Sequence, residues 1–196
     1  YGAALALPVF DGVEKVVGQG ASPGMTAFAT LENGRGDVSA LNAAVGPDTV
    51  AKYLLTSGST SHPKGVLTTQ RMMTTNQAQL AVCLPFVTEK PPVLLDWLPW
   101  NHVFGGSHNF NLVLANGGTL YIDNGKPTPA LAAHTIENLR MVSPTIAFNV
   151  PVGFAVLRDA MKEDATLRRQ YFQHLDMLFY AGASLPQDIW ADLEAM

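Results

Sequence analysis

Residues 52–66, Lys-Tyr-Leu-Leu-Thr-Ser-Gly-Ser-Thr-Ser-His-Pro-Lys-Gly-Val, run from an apolar strand pattern into hydroxyls and glycines and end in Pro-Lys-Gly. That is the composition of a phosphate-handling loop. The hydroxyls of Thr56, Ser57, Ser59 and Thr60, with the backbone N–H groups that Gly58 leaves uncovered, can donate to phosphate oxygens, and Lys64 adds a mobile positive charge. Gly65 lets the chain bend after the lysine, while Pro63 holds His62 in extended conformations. A Walker loop needs Gly-Lys-Ser/Thr leading into a helix. The order Pro63-Lys64-Gly65-Val66 is a different device; read without a ligand, the stretch is a Ser/Thr/Gly surface turn.

A second group occupies 95–111, Leu-Asp-Trp-Leu-Pro-Trp-Asn-His-Val-Phe-Gly-Gly-Ser-His-Asn-Phe-Asn. It follows a strand pattern, and parallel sheets build pockets at strand ends. His102 is either a pocket residue or a hydrogen-bonded structural histidine. Gly105 and Gly106 allow close approach of a helix start or an acyl chain. Trp97, Trp100, Phe104 and Phe110 offer ring-stacking surface or core filling, and Asn101, His108 and Asn109 offer hydrogen-bond partners. His108 and Asn109 read equally well as caps of the following helix. His102 and His108 stand six apart with no third ligand grouped with them, which argues against a zinc site.

A third group, Tyr180-Ala181-Gly182-Ala183-Ser184-Leu185-Pro186, is a strand ending in Gly-Ala before a helix begun by proline. Gly182 permits an approach that a side chain would block. The glycines at 18, 20 and 24 have a dinucleotide-loop flavour, but their spacing is wrong and Pro23 interrupts the helix start.

These groups need elements to position them. From residue 48 onward short apolar runs alternate with helical patterns, which predicts an α/β fold with a largely parallel sheet and flanking helices. The strands are expected over 52–56, 93–96, 119–122, 145–149 and 178–181. A helix is expected over 70–84, with Thr69 as N-cap and Met73, Leu80, Ala81 and Leu84 on one face. Another opens at Thr128-Pro129 and runs to Val142, where Pro144 stops it. The patterns over 151–161 and 165–175 read as a helix pair, and Pro186 begins a last helix. Residues 1–47 are a poorly determined lead-in, of which 18–47, rich in Gly, Ala, Ser and Asn, read as loop.

The 196 residues can bury a sizeable core and carry a formal net charge of −4 with scattered Lys and Arg, so no electrostatic footprint for nucleic acid is present. Charged residues make up 14% and hydrophobic ones 47%, where roughly 25% charged is usual. That imbalance points to apolar surface covered by a remainder of the same polypeptide. The chain starts at Tyr1 and stops at Met196 inside an apparent helix, and reads as an excised piece. Cys83 is the only cysteine, which excludes an internal disulfide and any multi-cysteine metal site; it is expected as a small core residue on a helix. No run approaches about 18 uninterrupted apolar residues, so neither a signal peptide nor a membrane span is expected, and a cytoplasmic location fits.

The loop at 56–65 resembles the signature of the adenylate-forming superfamily, which includes acyl-CoA synthetases, luciferases and peptide-synthetase adenylation domains. There the loop holds the β- and γ-phosphates of ATP while a carboxylate attacks the α-phosphate; Ser61 stands where that family usually has glycine. Residues 98–105 are similar to its Leu-Pro-aromatic-His-apolar-aromatic-Gly motif, in which the position matched by His102 borders the carboxylate site. Residues 180–186 are similar to its Gly-Gly-(Ala/Glu)-x-apolar-Pro stretch, whose backbone lines the adenine and substrate pocket. With 123–129 between them, the motifs look closest to the feruloyl-CoA synthetase branch, over 48–196.

The resemblance implies an internal piece of a large N-terminal AMP-binding domain, without the C-terminal domain, from an acid–CoA ligase. It implies catalytic roles for Lys64 and His102. It places ATP on Thr56, Ser57, Gly58, Ser59, Thr60, Lys64, Gly65, Gly182, Ala183 and Ser184, and the acid on His102, Gly105, Gly106 and His108. No metal ligand is assigned, and Mg, ATP, CoA and a hydroxycinnamate-like acid are the implied partners of the parent protein. The rivals are an adenylation enzyme that loads a carrier protein and a nucleotide-binding module without chemistry. The piece alone is expected to be inactive, since several binding groups lie outside it.

Overall fold

The structure, a computed structural model, describes residues 11–20, 22–34, 36–56 and 64–196. It divides into a unit of residues 1–46 and a larger unit of residues 47–196. In the first, strand β1 (Val16–Val17) pairs in parallel with β2 (Thr26–Ala27), and two short helices follow at Phe28–Leu31 and Ser39–Ala43. Neither helix buries a residue, in keeping with the weak apolar periodicity of this stretch.

The second unit opens with a hairpin. Strand β3 (Val50–Thr56) pairs antiparallel with β4 (Lys64–Thr69), with Thr56 opposite Lys64. The strand expected over 52–56 is therefore an arm of a hairpin rather than a member of the parallel sheet. The connection 57–63 explains this, because it is shorter than the dozen or so residues that a parallel crossover requires.

Four parallel strands form the body: β5 (Val93–Asp96) pairs with β6 (Thr119–Ile122), and β7 (Ile146–Asn149) pairs with β8 (Met177–Tyr180). Thr145, just ahead of β7, joins the two pairs. Its N–H donates to the Val93 carbonyl at 2.9 Å, its hydroxyl accepts from the Val93 N–H at 2.8 Å, and its carbonyl accepts from the Asp176 N–H at 2.7 Å. Successive side chains of a strand point to opposite faces, and β7 obeys this. Ala147 packs into a core with Leu139, Phe154, Leu157, Met161, Leu167, Tyr171, Ile189 and Leu193. Ile146 and Phe148 pack on the other side with Val87, Leu94, Leu98, Leu112 and Val113. At β7 the sheet is thus covered on both faces, as parallel sheets require.

The helix Gln70–Cys83 begins as its sequence demands: the Thr69 hydroxyl accepts from the Met72 N–H at 3.3 Å. Leu80 and Leu84 lean on the second core, but the helix has no fully buried residue, and Cys83 at its last position is exposed. Cys83 is therefore not a core residue. The expected 128–142 helix is shorter, Ala132–Leu139, because the Thr128 carbonyl first closes a turn by accepting from Leu131 and Ala132. Helices Pro151–Glu163, Ala165–Phe172 and Gln187–Ala195 cover the first core. Among the described residues no helix is long and apolar enough to cross a membrane.

Candidate active site

After β5 the chain turns through Leu98–Asn101 and enters a π-helical turn, Val103–Asn109, that runs directly into the helix Phe110–Ala115. The Phe110 N–H reaches back five residues to the Gly105 carbonyl, the mark of π geometry. Gly105 and Gly106 make the turn possible by lying against the preceding backbone. A methyl group on Gly105 would sit 2.6 Å from the Leu98 carbonyl oxygen, and one on Gly106 would collide with the Trp100 carbonyl. Both glycines are buried in that contact, so they shape the site from behind. His102 is the N-cap, its Nδ1 accepting from the Phe104 N–H at 3.1 Å.

The turn places its side chains over a cavity of about 580 Å³ at the C-terminal ends of β5, β7 and β8. Trp97, Leu98 and Pro99 form one wall, His102, Phe104 and His108 a second, and Val150, Phe179, Ala181 and Gly182 a third. Phe104, His108, Phe148 and Phe179 make a connected aromatic cluster, with His108 stacked on Phe179 at 5.7 Å and set edge-on to Phe148 at 5.0 Å. The Trp97 indole N–H donates to Asn149 Oδ1 at 3.2 Å, which fixes its ring at the rim. Gly182 adopts φ +93°, a conformation natural to glycine, and lets the chain leave β8 beside Val150.

Behind His108 lies a buried polar chain. His108 Nδ1 is 2.9 Å from Asn109 Oδ1, Asn109 Nδ2 donates to Asp96 Oδ2 at 2.8 Å, and Asp96 Oδ1 accepts from the Leu98 N–H at 2.9 Å. Asn109 is fully buried and Asp96 nearly so. Burial pushes the Asp96 carboxyl above its ordinary value, against the opposing pull of the Asn109 and Leu98 donors, and nearby Asp123 adds to the rise. Burial pushes the His108 imidazole below its ordinary value, with the Asn109 bond acting the other way. A second buried carboxylate, Asp123, accepts from the Gly125 N–H, Thr135 Oγ1 and Asn138 Nδ2 and shapes the 123–129 connection.

The expected residues thus separate. His102, His108, Gly182, Trp97 and Phe104 meet at the cavity. Trp100 instead packs on Phe110, half-exposed, and Asn101 borders a separate hollow of about 380 Å³ beside Leu54 and Val66 of the hairpin. Asn109 does not line the cavity but supports His108 from beneath, and it makes no helix-capping bond. Ala183 and Ser184 are exposed beyond Gly182. Lys64 is exposed at the first position of β4, Gly65 follows with open space around it, and Thr56 closes β3. Ser57, Gly58, Ser59, Thr60 and Ser61 lie outside the described residues. A link that the sequence did not announce runs from the hairpin to the π turn: Lys52 Nζ donates to the Gly106 carbonyl at 3.0 Å, and burial pushes its ammonium below the usual lysine value. Phe148 and Phe179 are also new to the site, because alternation along a strand gives two faces without saying which faces the pocket.

The family model described as AMP-binding enzyme matches residues 11–196. The chain is 29% identical over 130 residues to the long-chain-fatty-acid–CoA ligase ACSBG2 of Gallus gallus, covering 63% of this chain and 17% of that protein. It is 30% identical over 89 residues to the 3-[(3aS,4S,7aS)-7a-methyl-1,5-dioxo-octahydro-1H-inden-4-yl]propanoyl:CoA ligase of Rhodococcus jostii (strain RHA1), covering 45% of this chain and 17% of that protein. The chain therefore spans less than a fifth of the length of these relatives. Its fold is similar to that of a malonyl-CoA ligase solved as a ternary product complex with methylmalonyl-CoA and AMP bound. The TM-score is 0.63 at 23% identity, over 76% of this chain and 31% of that one.

Proposed function

Because the chain belongs to the AMP-binding enzyme family, we propose that it forms the acid pocket and phosphate loop of an ATP-dependent acid–CoA ligase, and that the acid is aromatic, of the hydroxycinnamate class. The observation that carries the reading is the cavity of about 580 Å³ with a cluster of aromatic rings and His108 in its wall and His102 and Gly182 at its edge. Flat rings suit a planar acid better than a long flexible chain, and His108 supplies the polar partner that a ring substituent needs.

ATP supplies an activated phosphorus and a pyrophosphate leaving group. The hairpin fits that partner: Thr56 and Lys64 pair at its turn end and bound the hydroxyl-rich connection 57–63. Lys64 would lie against the leaving phosphates, the backbone at Gly182 against adenine, and Mg would travel with ATP, held mainly through phosphate oxygens. The carboxylate, already a nucleophile, needs no general base, so the chain acts by positioning and by neutralising charge as the acyl-adenylate forms. CoA then displaces AMP to give the thioester.

The test is kcat/KM of the protein carrying this chain for ferulate against octanoate and palmitate, since specificity is a ratio of transition-state binding. Ferulate should lead. A preference for either fatty acid would refute the aromatic assignment.

A further inference from the structure

The polar chain beneath the cavity has a direction. With Asp96 ionised its two oxygens can only accept, and both are used, by the Leu98 N–H and by Asn109 Nδ2. That commits the Asn109 amide: its NH₂ faces the carboxylate, and its Oδ1 faces His108 at 2.9 Å. The reversed amide would set oxygen against carboxylate inside the protein, which is costly for a group with no access to water. An amide oxygen accepts only, so His108 Nδ1 must carry the ring proton, and a neutral imidazole then bears a lone pair on Nε2. That nitrogen has no hydrogen-bond partner among the described residues, and the ring that carries it lines the cavity.

We propose that the Asp96–Asn109 couple fixes His108 as a hydrogen-bond acceptor in the cavity, so that the pocket selects acids bearing a donor, such as a phenolic hydroxyl, over acids in which that donor is capped or replaced. Asp96 and Asn109 are positioning residues, and His108 is the residue that reads the substrate. The inference rests on the acid-pocket reading for the identity of the ligand, whereas the proton's place on His108 is a property of the protein alone.

Two measurements on the protein carrying this chain decide it. In protein labelled with ¹⁵N-histidine, with His108 assigned by its loss in His108→Gln, the long-range ¹H–¹⁵N pattern should show Nδ1 protonated and Nε2 bare near neutral pH; a protonated Nε2 overturns the proposal. In kinetics, 4-hydroxycinnamate should exceed 4-fluorocinnamate and 4-methoxycinnamate in kcat/KM by about three- to tenfold, the worth of one neutral hydrogen bond. Equal rates overturn the selectivity.

Asp96→Asn adds a sharper arm. Asn at 96 would keep an oxygen for the Leu98 N–H and turn its NH₂ to Asn109, whose amide must then reverse. His108 should move its proton to Nε2, and the hydroxy-over-methoxy ratio should fall to about one or below. An unchanged tautomer and ratio in a folded variant overturns the role of the couple. Should that variant fail to fold, the tautomer and the ratio in the unsubstituted protein still decide the acceptor. A general preference for octanoate over all three aromatic acids would sink the aromatic-acid reading instead, and the tautomer measurement would separate the two failures.

Discussion

Asn149 holds the rim of the cavity through one oxygen, and Asn149→Ala measures what that oxygen does. Oδ1 accepts from the Trp97 indole at 3.2 Å and from the Val150 N–H at 2.9 Å, on a side chain 6% exposed at the end of β7. Alanine leaves both donors without their acceptor. The Trp97 N–H lies at a ring that borders the cavity and can turn to water, so its loss falls near the low end of about 0.5–1.5 kcal/mol for a neutral bond. The Val150 N–H stands at the N-cap of the helix Pro151–Glu163 and has no other acceptor among the described residues, so its orphaning belongs in the range of about 1–3 kcal/mol. The sum is about 1.5–3.5 kcal/mol. Urea unfolding should show a lower midpoint at unchanged slope. The same substitution frees the Trp97 ring, so KM for the acid should rise while KM for ATP holds. A stability loss under about 0.5 kcal/mol with an unchanged acid KM would mean that the shared acceptor does not hold this wall, and the reasoning would fail.

Other outcomes follow from single residues. Lys64→Ala should slow adenylation by about ten- to a hundredfold, the worth of a charge-assisted hydrogen bond, and should affect thioester formation from supplied acyl-adenylate less; equal losses in both half-reactions would point to collapse of the hairpin instead. Tyr171 is fully buried in the first core, its hydroxyl has no partner among the described residues, and burial pushes its phenol up, so Tyr171→Phe should leave stability unchanged or raise it by about 1 kcal/mol, and a loss of that size would reveal a hidden partner. Because the native His108 pKa lies below its unfolded value, the unfolded chain takes up the proton first, so stability should fall as pH drops from about 6.5 through the native value; His108→Gln should flatten that limb of the pH–stability curve, and an unaltered limb counts against it. Cys83, exposed at a helix end, should react with a thiol reagent in the native protein at a rate near that of a small free thiol, and protection would contradict its placement.

The strands at 93–96 and 119–122 were legible to the residue, because each is a short, largely apolar run bounded by turn residues. The helix beginning at Gln70 was legible through one side chain, the Thr69 cap. The π turn was not: a repeat that closes over five residues leaves no familiar periodicity, and its only signal was the glycine pair, which fits several roles. Strand β4 leaves no such signal, because Lys64–Thr69 begins inside the Pro-Lys-Gly motif and a strand at the surface carries no continuous apolar run. At the site, proximity along the chain brings Trp97, His102, Phe104 and His108 to the cavity, while Trp100, Asn101, Asn109 and Phe110, from the same stretch, do not line it. The sequence could not supply Phe179 or Val150, which arrive from strands more than forty residues away, nor could it tell that Asn109 faces inward to Asp96.

Thr145 ties Val93 to Asp176 at the starts of the strands, whereas the cavity opens at their finishes. The bond between Val93 and Thr145 spans 52 positions, and contacts of such long range govern how quickly a chain finds its fold. The order of assembly follows. The segment 93–96 has no neighbour on that flank until residue 145 has been synthesised and has returned to it, and from Thr145 the paired strands run on to Asn149 and Tyr180. A lesion at Thr145 should therefore slow pairing of these strands, while a change at residue 108 should act on the finished pocket.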